Sequence, residues 1–397
     1  MKKAKFLGKG LFYIFFFVFF SVLYLVLEEP KESVCLTISI SILLIIIKDK
    51  DKILSGIPFY YLTLVFTLSF FISTLIIFSR GYSMELTVEG TVKDIDGKAV
   101  LLVYEGEPEM YSFEKGITNI KINGSIKDKI ISPYILWLNK RHYQFLGKSN
   151  YKENTIKVKK GLQTFLTNEF KVYVSYLYDT AYVEEVLIEI ANDGYRDVII
   201  VPVFLTEGQN LRILKSRIER MKLYSLNINV KYTDPLWNSE DIAISYENKI
   251  KQHIDDESVA NIGIILVGEG QVGYRKNNNL KAVREDSMFR NRIKAKLGNN
   301  TGINENKIKI GWFKYVEPDY EESIIDLLDY SIRKIVLIYT KPSVTNIENI
   351  TISKKIASKV NFPEGVKVTI VDGFLNDFLF INELKNRIEF TNLQKWE

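Results

Sequence analysis

Two stretches of this chain lie on one another without a gap. "YVEEVLIEIANDGYRDVIIV" at 182–201 aligns with "DYEESIIDLLDYSIRKIVLI" at 319–338. Glu184-Glu185 falls on Glu321-Glu322, Arg196 on Arg333, and the apolar run 198–201 on 335–338. Val183, Val186, Leu187, Ile190 and Ala191 recur at helical spacing, and Tyr320, Ile324, Leu327 and Leu328 repeat most of that face. Each copy therefore reads as an amphipathic helix followed by a strand apolar on both faces. Such strands belong to parallel sheets covered by helices on either side. The predicted class is α/β, with two pseudo-symmetric Rossmann-like halves. Strands are expected at 99–103, 171–177, 198–205 and 227–230, then at 262–267, 308–313, 335–339 and 366–371. Helices fit at 182–192, 210–221, 240–253, 287–297, 318–330, 346–359 and 377–388.

A second motif is also doubled. "LLVYEG" at 101–106 and "LVGEG" at 266–270 are apolar runs that end in Glu-Gly. Glu105 and Glu269 thus stand at the carboxyl end of the first strand of each half, the edge where open parallel sheets bind ligands. Gly106 and Gly270 are expected to serve a positive φ or a close backbone approach. The segments 205–211 and 340–348 open onto the same edge, so four loops converge on one cleft. Glu348 belongs to that set. Its counterpart in the first half is Leu211, next to Gln209 and Asn210. The polar groups of the cleft are carboxylates and amides. One cysteine and two histidines exclude a disulfide framework, a thiolate metal site and a multi-histidine site. A formal charge of +5, with no basic stripe interleaved with aromatics, argues against a nucleic-acid partner.

The first eighty residues have a different character. Runs at 11–27 and 57–78 are long and apolar enough to cross a bilayer, with a shorter run at 34–47 between them. They predict a transmembrane anchor of two or three spans over 1–80. A linker or extra strand follows at 81–97, then one half at 98–255 and the other at 256–397. With three spans, Lys2, Lys3, Lys5 and Lys9 share a side with Lys48, Lys50 and Lys52, opposite Lys31 and Arg80. The positive-inside rule then places the C-terminal body outside the cytoplasm; with two spans the body returns to it. The expected location is a multi-pass membrane protein.

The order of motifs from about 98 to 390 resembles the ferrochelatases, members of the class II tetrapyrrole chelatases. "KAVLLVYEGEP" is similar to the opening strand and loop of that family. "KVYVSYLYDTAYVEEVLIEIANDGYRDVIIVPVF" is similar to its second and third strands with the helix between. "IGIILVGEGQV" sits where the family has a strand ending in His-Gly. "IKIGWFKYVEPDYEESIIDLLDYSIRKIVLIYTKPSVTNIEN" runs on to the family's glutamate, which falls on Glu348. This sequence departs from the pattern in four places. Glu269 stands at the histidine position, the acids that follow the glutamate are replaced by Thr351, Ser353 and Lys354, "RKNNN" at 275–279 replaces the family's loop, and Asn123-Gly124 reads as a tight turn in a region the family fills with helix.

The resemblance implies a tetrapyrrole as substrate or ligand and a divalent metal such as iron or cobalt, with no other cofactor. Insertion requires a base for the pyrrole protons and a metal ligand on the opposite face. Glu269 and Glu348 are the expected catalytic and metal-binding pair. If they face each other, one pKa rises and that carboxylate is poised to take a proton. Carboxylates also favour harder ions than imidazole does. Tyr104, Glu105, Gln209, Asn210, Tyr274 and Trp312 are the expected substrate-binding residues. The alternative is a non-catalytic protein that binds a tetrapyrrole or metal and hands it on at the membrane. The sequence leaves the oligomeric state open.

Overall fold

The computed structural model describes residues 2–53, 57–84, 86–87, 94–254, 259–271, 277–343, 345–351, 354 and 362–396. The chain divides into two compact units. One comprises Met1–Ser83 and Met110–Lys148, the other Met84–Glu109 and Ser149–Glu397.

In the second unit, four strands form the sheet order β2-β1-β3-β4 and four more form β6-β5-β7-β8. They are β1 (Lys98–Tyr104), β2 (Phe170–Tyr176), β3 (Asp197–Pro202), β4 (Asn229–Tyr232), β5 (Ile262–Gly268), β6 (Ile308–Trp312), β7 (Lys334–Tyr339) and β8 (Lys367–Val371). Every pairing is parallel. The eight predicted strands are all present, and the two sheets have the same topology. Strand alternation divides their side chains between layers. Val100 and Leu102 of β1, with Ile264 and Leu266 of β5, enter one core shared by both halves. Ala99, Leu101 and Val103 point to a core private to the first half, and Ile265 and Val267 to one private to the second.

The duplicated helices begin in the same way. In the first half Glu185 accepts the N–H of Tyr182 at 2.8 Å. In the second, Glu322 accepts the N–H of Asp319 at 3.2 Å while Asp319 accepts that of Glu322 at 2.8 Å. The repeated Glu-Glu therefore hooks an orphan donor at each helix start. Helices Tyr151–Phe165 and Phe113–Asn123 were not among the predicted elements, and helix Asn277–Thr301 is far longer than the predicted 287–297. Gly124 ends the Phe113–Asn123 helix, where a tight turn was expected. Of the helix predicted at 346–359, residues 347–351 are helical and most of the remainder lies outside the described residues.

The first unit is helical. Its long helices are α1 (Lys2–Val26), α2 (Lys31–Lys48) and α3 (Phe59–Ser79), followed by α4 (Phe113–Asn123), α5 (Ile126–Ile130) and α6 (Ser132–Leu146). Gly8–Val26 and Phe59–Ser79, of 19 and 21 residues, are long and apolar enough to cross a membrane, and only 22% and 17% of them is buried. The unit has an apolar core around Val18, Val22, Ile77, Ile117 and Leu136, and it also buries small polar residues at helix contacts. Ser69, Ser73 and Ile77 are the buried residues of α3, and Cys35, Ser39 and Ile46 those of α2. Ser21 and Ser39 hydroxyls meet at 2.7 Å, and the Ser69 hydroxyl donates to the Phe15 carbonyl at 2.7 Å. Phe59, Leu64, Phe66, Phe71 and Leu75 face outward. Where α1 gives way to α2, the buried Lys140 of α6 donates to the Leu27 carbonyl at 2.8 Å and pairs with Glu32 at 2.8 Å.

Candidate functional site at the strand tips

The two Glu-Gly tips are held alike. Leu177 N–H donates to the Tyr104 carbonyl at 3.0 Å and Tyr178 N–H to that of Glu105 at 2.8 Å. In the second half Phe313 N–H donates to the Gly268 carbonyl at 2.7 Å and Lys314 N–H to that of Glu269 at 3.1 Å. Val203 to Val103 at 2.9 Å is matched by Thr340 to Val267 at 3.0 Å. Gly106 and Gly270 both have φ of +82°, and a Cβ there would collide with the Tyr176 side chain and the Lys314 carbonyl respectively. Both expectations for these glycines are met.

The two tips aim their acids at one cation. Lys341, two residues past β7, donates to Glu105 Oε2 and to Glu269 Oε2, each at 2.6 Å. Glu105 also accepts from Asn210 Nδ2 at 2.6 Å, and Asn210 Oδ1 accepts from the Tyr178 hydroxyl at 2.7 Å. Burial raises the Glu105 carboxyl above its ordinary value, with Lys341 opposing and Glu269 adding to the rise. Burial also acts on Glu269, but Lys341 and then Lys314 outweigh it and leave this carboxyl below the ordinary value. Burial disfavours the charged Lys341, yet the two carboxylates prevail and its pKa is raised. By the register of the repeat, Phe204 is the first-half counterpart of Lys341, and both line the same pocket. The two-fold pattern of acids thus meets a single, asymmetric cation.

Four comparisons bear on this arrangement. The family model CbiX matches residues 149–253. The ferrochelatase of Aquifex aeolicus (strain VF5) is 24% identical over 249 residues, which span 57% of this chain and 76% of that protein. SirB from Bacillus subtilis with Fe3+ superposes with a TM-score of 0.50 at 12% identity, over 75% of this chain and 96% of that one. The sirohydrochlorin chelatase SirB from Bacillus subtilis subspecies spizizenii, in complex with cobalt, has a TM-score of 0.46 at 13% identity, over 74% and 95%. These matches support a ferrochelatase/CbiX-like chelatase superfamily for the α/β body.

On this chelatase-like body, the pocket around Lys341 has a volume of about 60 Å³. That admits a few waters and is well below the roughly 300–1,000 Å³ of ordinary ligand pockets. Glu105, Glu269, Gln209 and Asn210 all line it, joined by Gln271, Asp286 and Ser343, which the sequence did not single out. Glu348 is elsewhere: it pairs with Lys314 at 2.6 Å, at a half-exposed position. The structure therefore pairs each of the two expected catalytic acids with a lysine: Glu269 with Lys341, which Glu105 shares, and Glu348 with Lys314. Tyr104 is fully buried in the shared core, and Trp312 lies beneath the Arg290 guanidinium, 3.7 Å from the ring centre. Tyr274 lies outside the described residues. Among the described residues no group of three or more His, Cys, Asp or Glu side chains could hold a metal ion.

Two further features escaped the sequence. Arg290 is fully buried, pairs with Asp286 at 3.0 Å and donates to the Gly311 carbonyl at 2.8 Å. The absence of a side chain at Gly268 makes room for its guanidinium. Burial raises the Asp286 carboxyl despite that arginine. Near the other tip, Glu107 accepts the N–H of Ile347 at 2.9 Å and the hydroxyl of Ser149, so it caps the 347–351 turn. Burial pushes Glu107 up to about 7, with both hydrogen bonds opposing.

Proposed function

We propose that this chain is a membrane-anchored chelatase-superfamily protein that binds a tetrapyrrole across the strand-tip edge of its two halves and hands it on without inserting metal. The observation that carries the non-inserting part is Lys341. Its ammonium takes the place between Glu105 and Glu269 where an incoming divalent ion needs carboxylate oxygens. A protonated lysine with a raised pKa accepts no pyrrole proton. With a pocket of about 60 Å³, the macrocycle lies over the mouth, between the Gln209–Asn210 and Ser343 sides. Membership of the chelatase superfamily supports the tetrapyrrole as ligand. The proposed halves are 98–255, less the 110–148 stretch that joins the N-terminal helices in one compact unit, and 256–397, with 1–80 as the anchor.

The outward apolar face of the N-terminal helices supports anchoring. Small and hydroxyl side chains at helix contacts, with phenylalanine and leucine outward, suit lipid surroundings. The side of the body follows the number of spans: the charge tally over three spans favours the extracytoplasmic side, whereas the two helices long and apolar enough to cross return the body to the cytoplasm.

Metal insertion is favoured by one feature, Glu107, whose carboxyl titrates near neutrality two residues from Glu105. A single experiment separates the two functions. The full chain in detergent is titrated with a dicarboxylic porphyrin, and Fe2+, Co2+ or Zn2+ is then added. A Soret shift on binding, with no metalloporphyrin formed above the protein-free rate, is the expected result. Metalloporphyrin formation overturns the non-inserting part, and no Soret shift overturns tetrapyrrole binding.

A further inference from the structure

The helical unit holds an apolar groove of about 220 Å³. One wall is the second half of α3, with Phe70, Phe71, Leu75 and Phe78; the other is α5, with Ile126 and Ile130. Ile126 is 80% exposed and Ile130 50%, so these isoleucines face outward rather than into a protein core. The hydroxyl of Thr74, on the first wall, donates to the Phe70 carbonyl at 2.8 Å and offers the groove no free donor. Lys129 is the charged residue lining it.

We infer that the groove seats one acyl chain of an anionic phospholipid from the bilayer, with the lipid phosphate on Lys129. The inference rests on α3 crossing a membrane. From Phe70 to Phe78 the helix rises about 12 Å, close to half of a hydrocarbon core of about 30 Å. The groove is thus one leaflet deep and continuous with the outward phenylalanine and leucine face of α3. The charges fit a phosphate. Asp128 lies between Lys127 and Lys129, and one of its oxygens, Oδ2, accepts from the Ser125 N–H at 2.9 Å and hydroxyl at 2.7 Å. Lys127 interacts electrostatically with Asp128, whereas Lys129 makes no ion pair among the described residues. Where α3 ends, Lys121 Nζ donates to the Arg80 carbonyl at 2.7 Å, so two further cations stand at that helix terminus. On α6 the rings of Tyr134 and Trp137 lie 5.8 Å apart, the kind of aromatic pair that settles at headgroup depth.

The test uses the full chain reconstituted in vesicles of equal phosphatidylglycerol and phosphatidylcholine, re-extracted in mild detergent, with retained lipid counted by native mass spectrometry. The wild-type chain is expected to keep about one phosphatidylglycerol, preferred at least five-fold over phosphatidylcholine. Lys129→Glu is expected to abolish the preference, and Thr74→Phe, which fills the groove, to reduce retention of both lipids. Undiminished phosphatidylglycerol preference in Lys129→Glu, or full retention in Thr74→Phe, overturns the inference. Extraction of membranes with alkaline carbonate distinguishes the two levels of failure. A chain released by carbonate defeats the anchor itself; a chain that stays, with lipid retention blind to both substitutions, defeats only the groove.

Discussion

Replacing Lys341 by methionine keeps most of the side-chain volume and removes the cation that two carboxylates share. The loss is unequal on its two sides. Glu269 keeps 40% of its side chain open and can hydrate, so its share is small. Glu105 is 11% exposed and is left with Asn210 as its one remaining side-chain donor. Stranding one partner of a buried pair costs about 3–5 kcal/mol, and the lower end applies here because Glu105 can take up a proton instead. A loss of about 3 kcal/mol corresponds to a fall in Tm on the order of 6–12 °C for a body of this size. The pH dependence follows from the sign of the shift. Without Lys341 the folded-state pKa of Glu105 rises further above its unfolded value of about 4.3. The folded variant then holds an extra proton between those two values. Its deficit is therefore complete above the folded value and shrinks as pH falls toward about 4. Thermal unfolding of the detergent-solubilised chain at pH 5 and pH 8, followed by near-ultraviolet circular dichroism, reads this directly. Adding Glu105→Gln to Lys341→Met removes the stranded charge and is expected to restore most of the loss at pH 8. A double variant no more stable than the single one, or a deficit equal at the two pH values, refutes the shared-cation account.

Glu107 gives a second titration. Its folded pKa of about 7 lies above the unfolded value, so wild-type stability is expected to fall as pH rises from about 5 through 7; Glu107→Gln should flatten that slope in urea unfolding, and an unchanged slope counts against the burial of Glu107. Asp286→Ala leaves the fully buried Arg290 without its carboxylate and is expected to cost about 3–5 kcal/mol, with a loss below 1 kcal/mol in the same assay contradicting the pair. Glu185→Ala and Glu322→Ala, at matching helix starts, are each expected to cost about 1 kcal/mol, and a large difference between them would argue against equivalent roles in the repeat.

Much of the sheet architecture was legible because its signals are local. Buried parallel strands are nearly unbroken apolar runs, as at 262–267, and all eight emerge within a few residues of their predicted ends. The Glu-Gly tips were legible because a carboxylate after a buried strand, followed by glycine, marks a tight exit. The Tyr151–Phe165 helix was missed although Tyr151, Thr155, Val158 and Leu162 line its buried face. A buried threonine among several lysines weakens the apolar stripe that betrays a helix. The helix Asn277–Thr301 was read short because three asparagines open it.

The candidate site was less legible for a different reason. Lys341 and Glu105 are 236 positions apart. The repeat aligns Lys341 with Phe204, so symmetry predicts nothing polar there. One signal was available: two acids converging on a small cleft call for a counter-cation, and "YTKPS" at 339–343 supplies one just past a predicted strand. The pairing of Glu348 with Lys314, rather than with Glu269, depends on side-chain reach between separate loops, which residue spacing does not encode.

The matching positive φ at Gly106 and Gly270 limits how this edge can diverge. No L-amino acid with a side chain sits comfortably at either place, and a Cβ there strikes neighbouring atoms. Descendants of this chain can therefore vary only the residue before each glycine or the loops opposite. In the first half that residue is Glu105 and in the second Glu269, so at the tips themselves the chemistry turns on two codons, while the facing loops, Lys341 among them, supply the rest.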